Sequence, residues 1–192
     1  GGLRHAALGD AFERQNLASA DLVVTVSDEL RAQAIERGAR ENAIIVVPNG
    51  VDLDCFNPDI DGAPVRERLE LATRTVIGFS GTFGPWHGAE LLAEAYRALV
   101  LEEPEVAEKT CLVMFGDGPG LATVKDILAT LPPEYYRLTG MIAVQEIAPH
   151  LAACDVLASP QIVDPDSGVF FGSPTKLFEY MAMARAIVAA DA

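Results

Sequence analysis

From Thr75 to the end of the chain, short apolar runs alternate with helix-like stretches, and that alternation leaves few folds open. Thr75–Ser80 (TVIGFS), Cys111–Phe115 (CLVMF), Tyr135–Thr139, Val156–Ala158 and Ala186–Ala190 (AIVAA) read as strands. Glu90–Val100 reads as an amphipathic helix with Leu91, Leu92, Ala95, Tyr96 and Leu99 on its buried side. Leu121–Leu131 is a second helix, closed by Pro132-Pro133, and Gln145–Ala153, with Ile147, His150 and Leu151, is a third. Strands separated by helices pair in parallel with right-handed crossovers, so the expectation is an α/β fold, a Rossmann-like doubly wound parallel sheet. AIVAA lacks alternation, which predicts a strand buried on both faces.

The stretch before Thr75 continues the pattern. A helix over Leu8–Ala20 leads to a buried strand, Leu22–Val26. Ser27 suits the N-cap of a helix running to Arg37, and Gly38 is a natural stop. Ala43–Val47 is a further strand, closed by a turn at Pro48-Asn49-Gly50. Val51–Ala63 is rich in Asp, Pro and Gly, a shift that marks a boundary. The expected division is the end of one Rossmann-like domain at 1–50, a linker with its opening helix at 51–73, and a second, incomplete domain at 74–192. The chain opens inside a helix-like run without Met and stops just past a buried strand, which reads as an internal stretch of a longer protein.

Charge narrows the partners. The 192 residues carry 28 acidic against 14 basic side chains, net −14, which argues against nucleic acid as a partner of the segment. Nothing approaches the ~20 apolar residues that span a bilayer, and the N-terminus lacks the layout of a signal peptide. Cys55, Cys111 and Cys154 are too scattered for a zinc site or disulfide framework, so a reducing, cytoplasmic setting is expected.

Two regions carry chemistry. SPTKLFEYMA (Ser173–Ala182) reads as a helix with Pro174 at its first position and Leu177, Phe178, Met181 and Ala184 on the buried side. Lys176 and Glu179 are three apart and share a face near the N-terminus, where free N–H groups and partial positive charge suit a phosphate. Spacing alone favours a plainer reading, an exposed ion pair worth a few tenths of a kcal/mol. The other region is Gly81–Gly88 (GTFGPWHG), after the first strand of the second domain, where ligands of such sheets bind. Its glycines allow close backbone approach to a ligand, and His87 is a donor or partial cation. The plain alternative is a turn with Trp86 packed on the domain. Gly116–Gly120 (GDGPG) has Leu121 where a dinucleotide fingerprint needs its third Gly, and Pro119 lacks a donor, so it reads as a turn into a helix and not as an NAD site.

SPTKLFEYMA followed by AIVA resembles the nucleotide-sugar motif of retaining glycosyltransferases of the GT-B fold, glycosyltransferase family 4. IIVVPNGVD with Phe56 and Pro58 resembles that family's interdomain junction, and Gly81–Gly88 its first phosphate loop. Family members often carry an Arg after the first Gly of that loop and a Lys before the last; here Thr82 and His87 stand there. Phe171 replaces the first of a paired-glutamate motif, and Ala184 a usual Gly.

The resemblance implies a GT-B-type sheet cut at both ends. It puts the donor diphosphate at Gly81, Thr82, His87, Gly88, Gly172, Ser173, Pro174, Thr175 and Lys176, the ribose at Glu179, and the base against the backbone of Gly140, Met141 and Ile142. It implies a nucleoside-diphosphate sugar as substrate, no cofactor, no metal, and a saccharide, lipid-linked or small-molecule acceptor. No catalytic group is identifiable within the stretch, which should be inactive alone; the missing part of the first domain leaves a membrane surface open as a partner. A nucleotide-sugar epimerase of the same fold and a non-catalytic nucleotide-sugar-binding subunit are the alternatives. Asp52/Asp54 and Asp164/Asp166 lack further ligands and read as loop decoration, and His5 and His150 as surface or core residues.

Overall fold

A computed structural model of the chain describes residues 6–162 and 174–190. Its described residues divide into two compact units, the first of residues 6–50 together with Pro174 and the second of residues 51–162 and 175–190.

The first unit runs α1 (Ala6–Ser19), β1 (Val23–Thr25), α2 (Asp28–Glu36) and β2 (Ile44–Val46). Ser27 caps α2, its hydroxyl accepting from the Leu30 N–H at 3.2 Å. The strands pair in parallel, Val23 opposite Ile44 and Val24 opposite Ile45. Ile44 packs with Ala34 and Ala39, and Val23 with them, whereas Val24 and Ile45 are exposed. The strands expected to be buried are thus covered on one face, because successive side chains point to opposite faces. Residues 48–50 carry no assigned turn, so the turn expected there is not formed.

The second unit is a five-stranded parallel sheet in the order β5-β4-β3-β6-β7, with β3 (Thr75–Ser80), β4 (Thr110–Phe115), β5 (Tyr136–Gly140), β6 (Val156–Ser159) and β7 (Ala186–Ala189). It is wound on both faces. Cys111, Val113 and Phe115 of β4 join one core with Leu151, Tyr180 and Met183, while Leu112 and Met114 join another with Phe79, Tyr96 and Leu128. A short helix, α3 (Ala63–Arg68), is followed by Leu69 and Leu71, which join the first core; that core is closed by α7 (Val144–Ala152) and α8 (Thr175–Ala182), the second by α4 (Ala89–Glu102) and α6 (Leu121–Leu128). A short helix, α5 (Pro104–Ala107), leads into β4.

Residues 51–73 pack into this unit. Val65 and Leu71 are core residues. Arg66 donates to the carbonyls of Ala153 (2.7 Å) and Arg74 (2.6 Å) and to Asp155 (3.2 Å), whose carboxylate also accepts from the Val76 N–H.

β7 is the outermost strand among the described residues, and Val188 is 64% exposed beside an apolar hollow lined by Leu92, Leu99 and Val156. Two expectations about helix faces fail for non-local reasons. On α4 the core takes Ala89, Ala93 and Tyr96, leaving Leu91 and Ala95 outside. On α8 it takes Lys176, Tyr180 and Met183, leaving Met181 54% exposed and Ala184 outside. Each helix carries two apolar stripes, and only the position of the neighbouring strands selects one. The helix expected to reach Leu131 stops at Leu128, capped by Ala129, three residues short of that position.

Candidate functional site

The order β5-β4-β3-β6-β7 reverses direction between β3 and β6, and in doubly wound sheets the crevice at the carboxyl ends of such strands holds ligands. The 81–88 loop leaves β3 at this point. Gly88 opens α4 at φ +68, and a Cβ there would lie 1.5 Å from the Pro160 carbonyl oxygen, so only glycine lets the loop press against the chain leaving β6. The Ile162 N–H donates to the Trp86 carbonyl at 3.1 Å, a second tie between the two segments. Phe83 is buried edge-on to Phe79, centroids 5.7 Å apart, and its backbone bonds Asp117 and Gly120. Trp86 is exposed, so the loop is not held by tryptophan packing.

Into this frame α8 delivers Lys176, only 8% exposed. Its ammonium sits 4.3 Å from the centre of the Phe79 ring, 3.4 Å from His87 Nδ1, and 3.0 Å from where a Cβ on Gly81 would be. His87 Nε2 lies 3.2 Å from Thr82 Oγ1. The stripe that seats the lysine is completed by Tyr180, whose hydroxyl oxygen accepts from the Ser80 N–H at 2.9 Å. The first turn of α8 holds no acidic residue, so its partial positive charge adds to the lysine's.

Burial dominates the electrostatics. It brings the Lys176 pKa down to about 8, with Glu179 opposing. It lowers His87 too, reinforced by the Lys176 charge, and raises Glu179, with Lys176 opposing. The two residues on the α8 face are therefore not the exposed ion pair that spacing alone favours: one is buried, the other half-buried, and no ion pair within 4.0 Å joins them.

The structure thus brings Gly81, Thr82, His87, Gly88 and Lys176 together, with Glu179 one turn along α8. Helix α8 starts at Thr175, so Pro174 stands one place before the first helical position expected for it; Gly172 and Ser173 lie outside the described residues, as does Phe171. The Gly140–Ile142 loop is reached through Gly116, whose N–H donates to the Gly140 carbonyl at 2.9 Å and where a Cβ would fall 1.8 Å from the Gly81 oxygen. Met141 is 80% exposed, whereas Ile142 packs on the core. Gly118 is crowded by the Phe83 backbone and Gly120 by the Glu90 carboxylate and the Phe83 carbonyl, so the GDGPG turn holds the neighbouring loop and offers no open cradle. Ala184 keeps the turn after α8 at φ +51 despite its Cβ.

Asp52 caps its own turn, accepting from the Asp54 N–H at 2.9 Å; Asp164 and Asp166 lie outside the described residues, as does His5, and His150 is buried. Sequence reasoning missed Phe79, Tyr180 and Ser159. Ser159, at the end of β6, is buried with no partner for its hydroxyl among the described residues. A polar residue closing an otherwise apolar strand, as in VLAS and TVIGFS, was the available signal.

Comparison with known proteins gives the family and the fold. Residues 74–192 match the family model described as Glycosyl transferases group 1, and residues 1–50 match Glycosyl transferase 4-like domain. A D-inositol 3-phosphate glycosyltransferase of Kineococcus radiotolerans is 33% identical over 77% of the chain. A GDP-mannose-dependent alpha-(1-6)-phosphatidylinositol monomannoside mannosyltransferase of Mycolicibacterium smegmatis is 33% identical over 73%. The chain spans 36% of the length of each of these two relatives. Anabaena HepE, solved with UDP and glucose, superposes with a TM-score of 0.74 at 23% identity, over 95% of this chain and 47% of its own. WaaG, a glycosyltransferase involved in lipopolysaccharide biosynthesis, does so with 0.75 at 14%, over 97% and 49%. The parallel sheet wound on both faces is that of the GT-B fold, and the chain belongs to the Glycosyl transferases group 1 family.

Proposed function

We propose that this chain carries the donor site of a retaining, metal-independent glycosyltransferase that takes a sugar from a nucleoside-diphosphate sugar. The observation that carries the reading is Lys176: a buried ammonium, held at the first turn of α8 and facing the Gly81 loop across the switch point. Burying a charge is costly unless something uses it, and a diphosphate is the ligand this geometry suits.

As the anomeric bond breaks, negative charge grows on the leaving diphosphate and positive charge on the sugar ring. Lys176, the start of α8 with Pro174 and Thr175, and the Gly81–Gly88 loop are placed to stabilise the leaving group. Glu179, one turn further, would accept from ribose hydroxyls, and the Gly140–Ile142 backbone would meet the base. Closure of a second domain over the crevice would keep water from the activated sugar. The similar mannosyltransferase is named as GDP-mannose-dependent and HepE was solved with UDP, so GDP and UDP are the diphosphates to try first. A saccharide, lipid-linked or small-molecule acceptor and a cytoplasmic site of action, at a membrane surface or away from it, complete the reading. Among the described residues no helix is long and apolar enough to cross a membrane.

Calorimetric titration of the full-length protein with UDP, GDP and ADP tests the site. Selective binding that Lys176→Ala and Glu179→Ala each weaken ~10-fold or more, the worth of a hydrogen bond to a charged group, supports it. A folded protein that binds none of the three defeats it. Release of free nucleotide from the donor only when acceptor is present distinguishes transfer from epimerisation and from mere binding.

A further inference from the structure

Lys176 has an obvious partner that it does not use. Glu179 lies on the same helix face three residues on, yet no ion pair within 4.0 Å forms. Among the described residues the ammonium's hydrogen-bond partner is instead His87 Nδ1, at 3.4 Å, from the 81–88 loop. A protonated lysine has donors only, so Nδ1 must accept. In a neutral imidazole the other nitrogen then carries the proton, and Nε2–H donates to Thr82 Oγ1 at 3.2 Å. A hydroxyl that accepts in this way keeps its own hydrogen to give, and Thr82 is exposed.

The geometry points to His87 as a positioning residue for Lys176, held in one tautomer by Thr82, so that the ammonium is fixed by a neutral acceptor while its charge stays available to a diphosphate. A carboxylate in the same place would fix the lysine equally well and cancel its charge. The hydrogen bonds run in one direction, from Lys176 to His87 to Thr82, and end in a hydroxyl proton turned outward beside the same ligand position. The inference rests on the donor-site reading for its purpose, but the arrangement of the three side chains stands without it. Among the described residues the titratable groups facing the ammonium are His87 from the loop and Glu179 from its own helix; β3 presents the Phe79 ring.

Two measurements on the full-length protein decide it. The first needs no nucleotide: the pH dependence of Lys176 acylation by an N-hydroxysuccinimidyl ester, followed by peptide mass spectrometry. Its midpoint should move down in His87→Ala and Thr82→Val, where the charged amine loses a fixed acceptor, and up in His87→Asp; it should hold in His87→Asn and Thr82→Ser, which keep the acceptor and the hydroxyl. The second is UDP and GDP affinity at neutral pH. It should fall ~10-fold in His87→Ala and in Thr82→Val, with the double variant no worse than the weaker single, and at least as far in His87→Asp. The Asn and Ser variants should stay within ~3-fold, less than the loss of one such bond. A midpoint that stays in place across the series overturns the inference even if nucleotide binds. Absence of nucleotide binding with shifted midpoints removes the donor-site reading and leaves the positioning role standing.

Discussion

Two glycine-rich loops leave adjacent strands of the second unit and do different work. The 116–120 turn after β4 is filled by protein: Gly116 meets the Gly81 carbonyl, Gly118 the Phe83 backbone, and Gly120 the Glu90 carboxylate and the Phe83 carbonyl. The 81–88 loop after β3 is filled by protein only at its far end, where Gly88 meets Pro160; its near end faces a buried lysine and two polar side chains. Glycine content therefore does not mark a ligand loop. What separates the two is that Gly81 faces a buried cation, whereas the glycines of the 116–120 turn face backbone or an acidic side chain.

Four changes test that contrast. Gly116→Ala should have the largest effect, a loss on the order of 3 kcal/mol or failure to fold, because its Cβ would fall 1.8 Å from a carbonyl oxygen at φ +139; denaturant titration reads this. Lys176→Met should act with opposite signs on stability and binding. The lysine's folded pKa, about 8, lies below its ordinary 10.5, so between these values the unfolded chain binds more protons and stability rises with pH. Below about pH 8 the full cost of the buried ammonium is present. The methionine variant should therefore gain roughly 2 kcal/mol at neutral pH while losing diphosphate affinity. The parent's affinity should itself fall as pH rises through about 8; a flat profile would mean that the lysine charge is not used. Gly81→Ala should cost roughly 1–2 kcal/mol of backbone strain at φ +147, and its Cβ, 3.0 Å from the ammonium, should cost binding out of proportion to stability. Ala184→Gly is smallest and favourable, about 0.5–1 kcal/mol by thermal melt, since it relieves an alanine held at φ +51.

Much of the site was legible from the sequence because its parts are local. Lys176 and Glu179 sit three apart near a helix start, and Gly81, Thr82, His87 and Gly88 fall in one loop after one strand. The meeting of Lys176 with His87 was not legible, because 89 residues separate them and only the pairing of β3 with β6 brings them together. The role of Phe79 under the ammonium was hidden for a similar reason: in TVIGFS it reads as one more core residue.

The same division holds for the fold. Element type followed from patterns of a few residues: the run TVIGFS became β3 with the bounds expected, Ser27 capped α2, and the βα alternation became a doubly wound parallel sheet. These outcomes depend on side-chain spacing along one segment, which the chain carries wherever that segment ends up. Burial did not follow in this way. On α4 the core takes Ala93 and Tyr96 and leaves Leu91 outside, and α8 buries the stripe with Lys176 and Tyr180 instead of the one with Met181. Strand order and the choice between two apolar stripes are set by contacts between segments far apart in sequence, and so the tertiary structure alone decided that the lysine would be buried, poised near pH 8 and aimed at the loop.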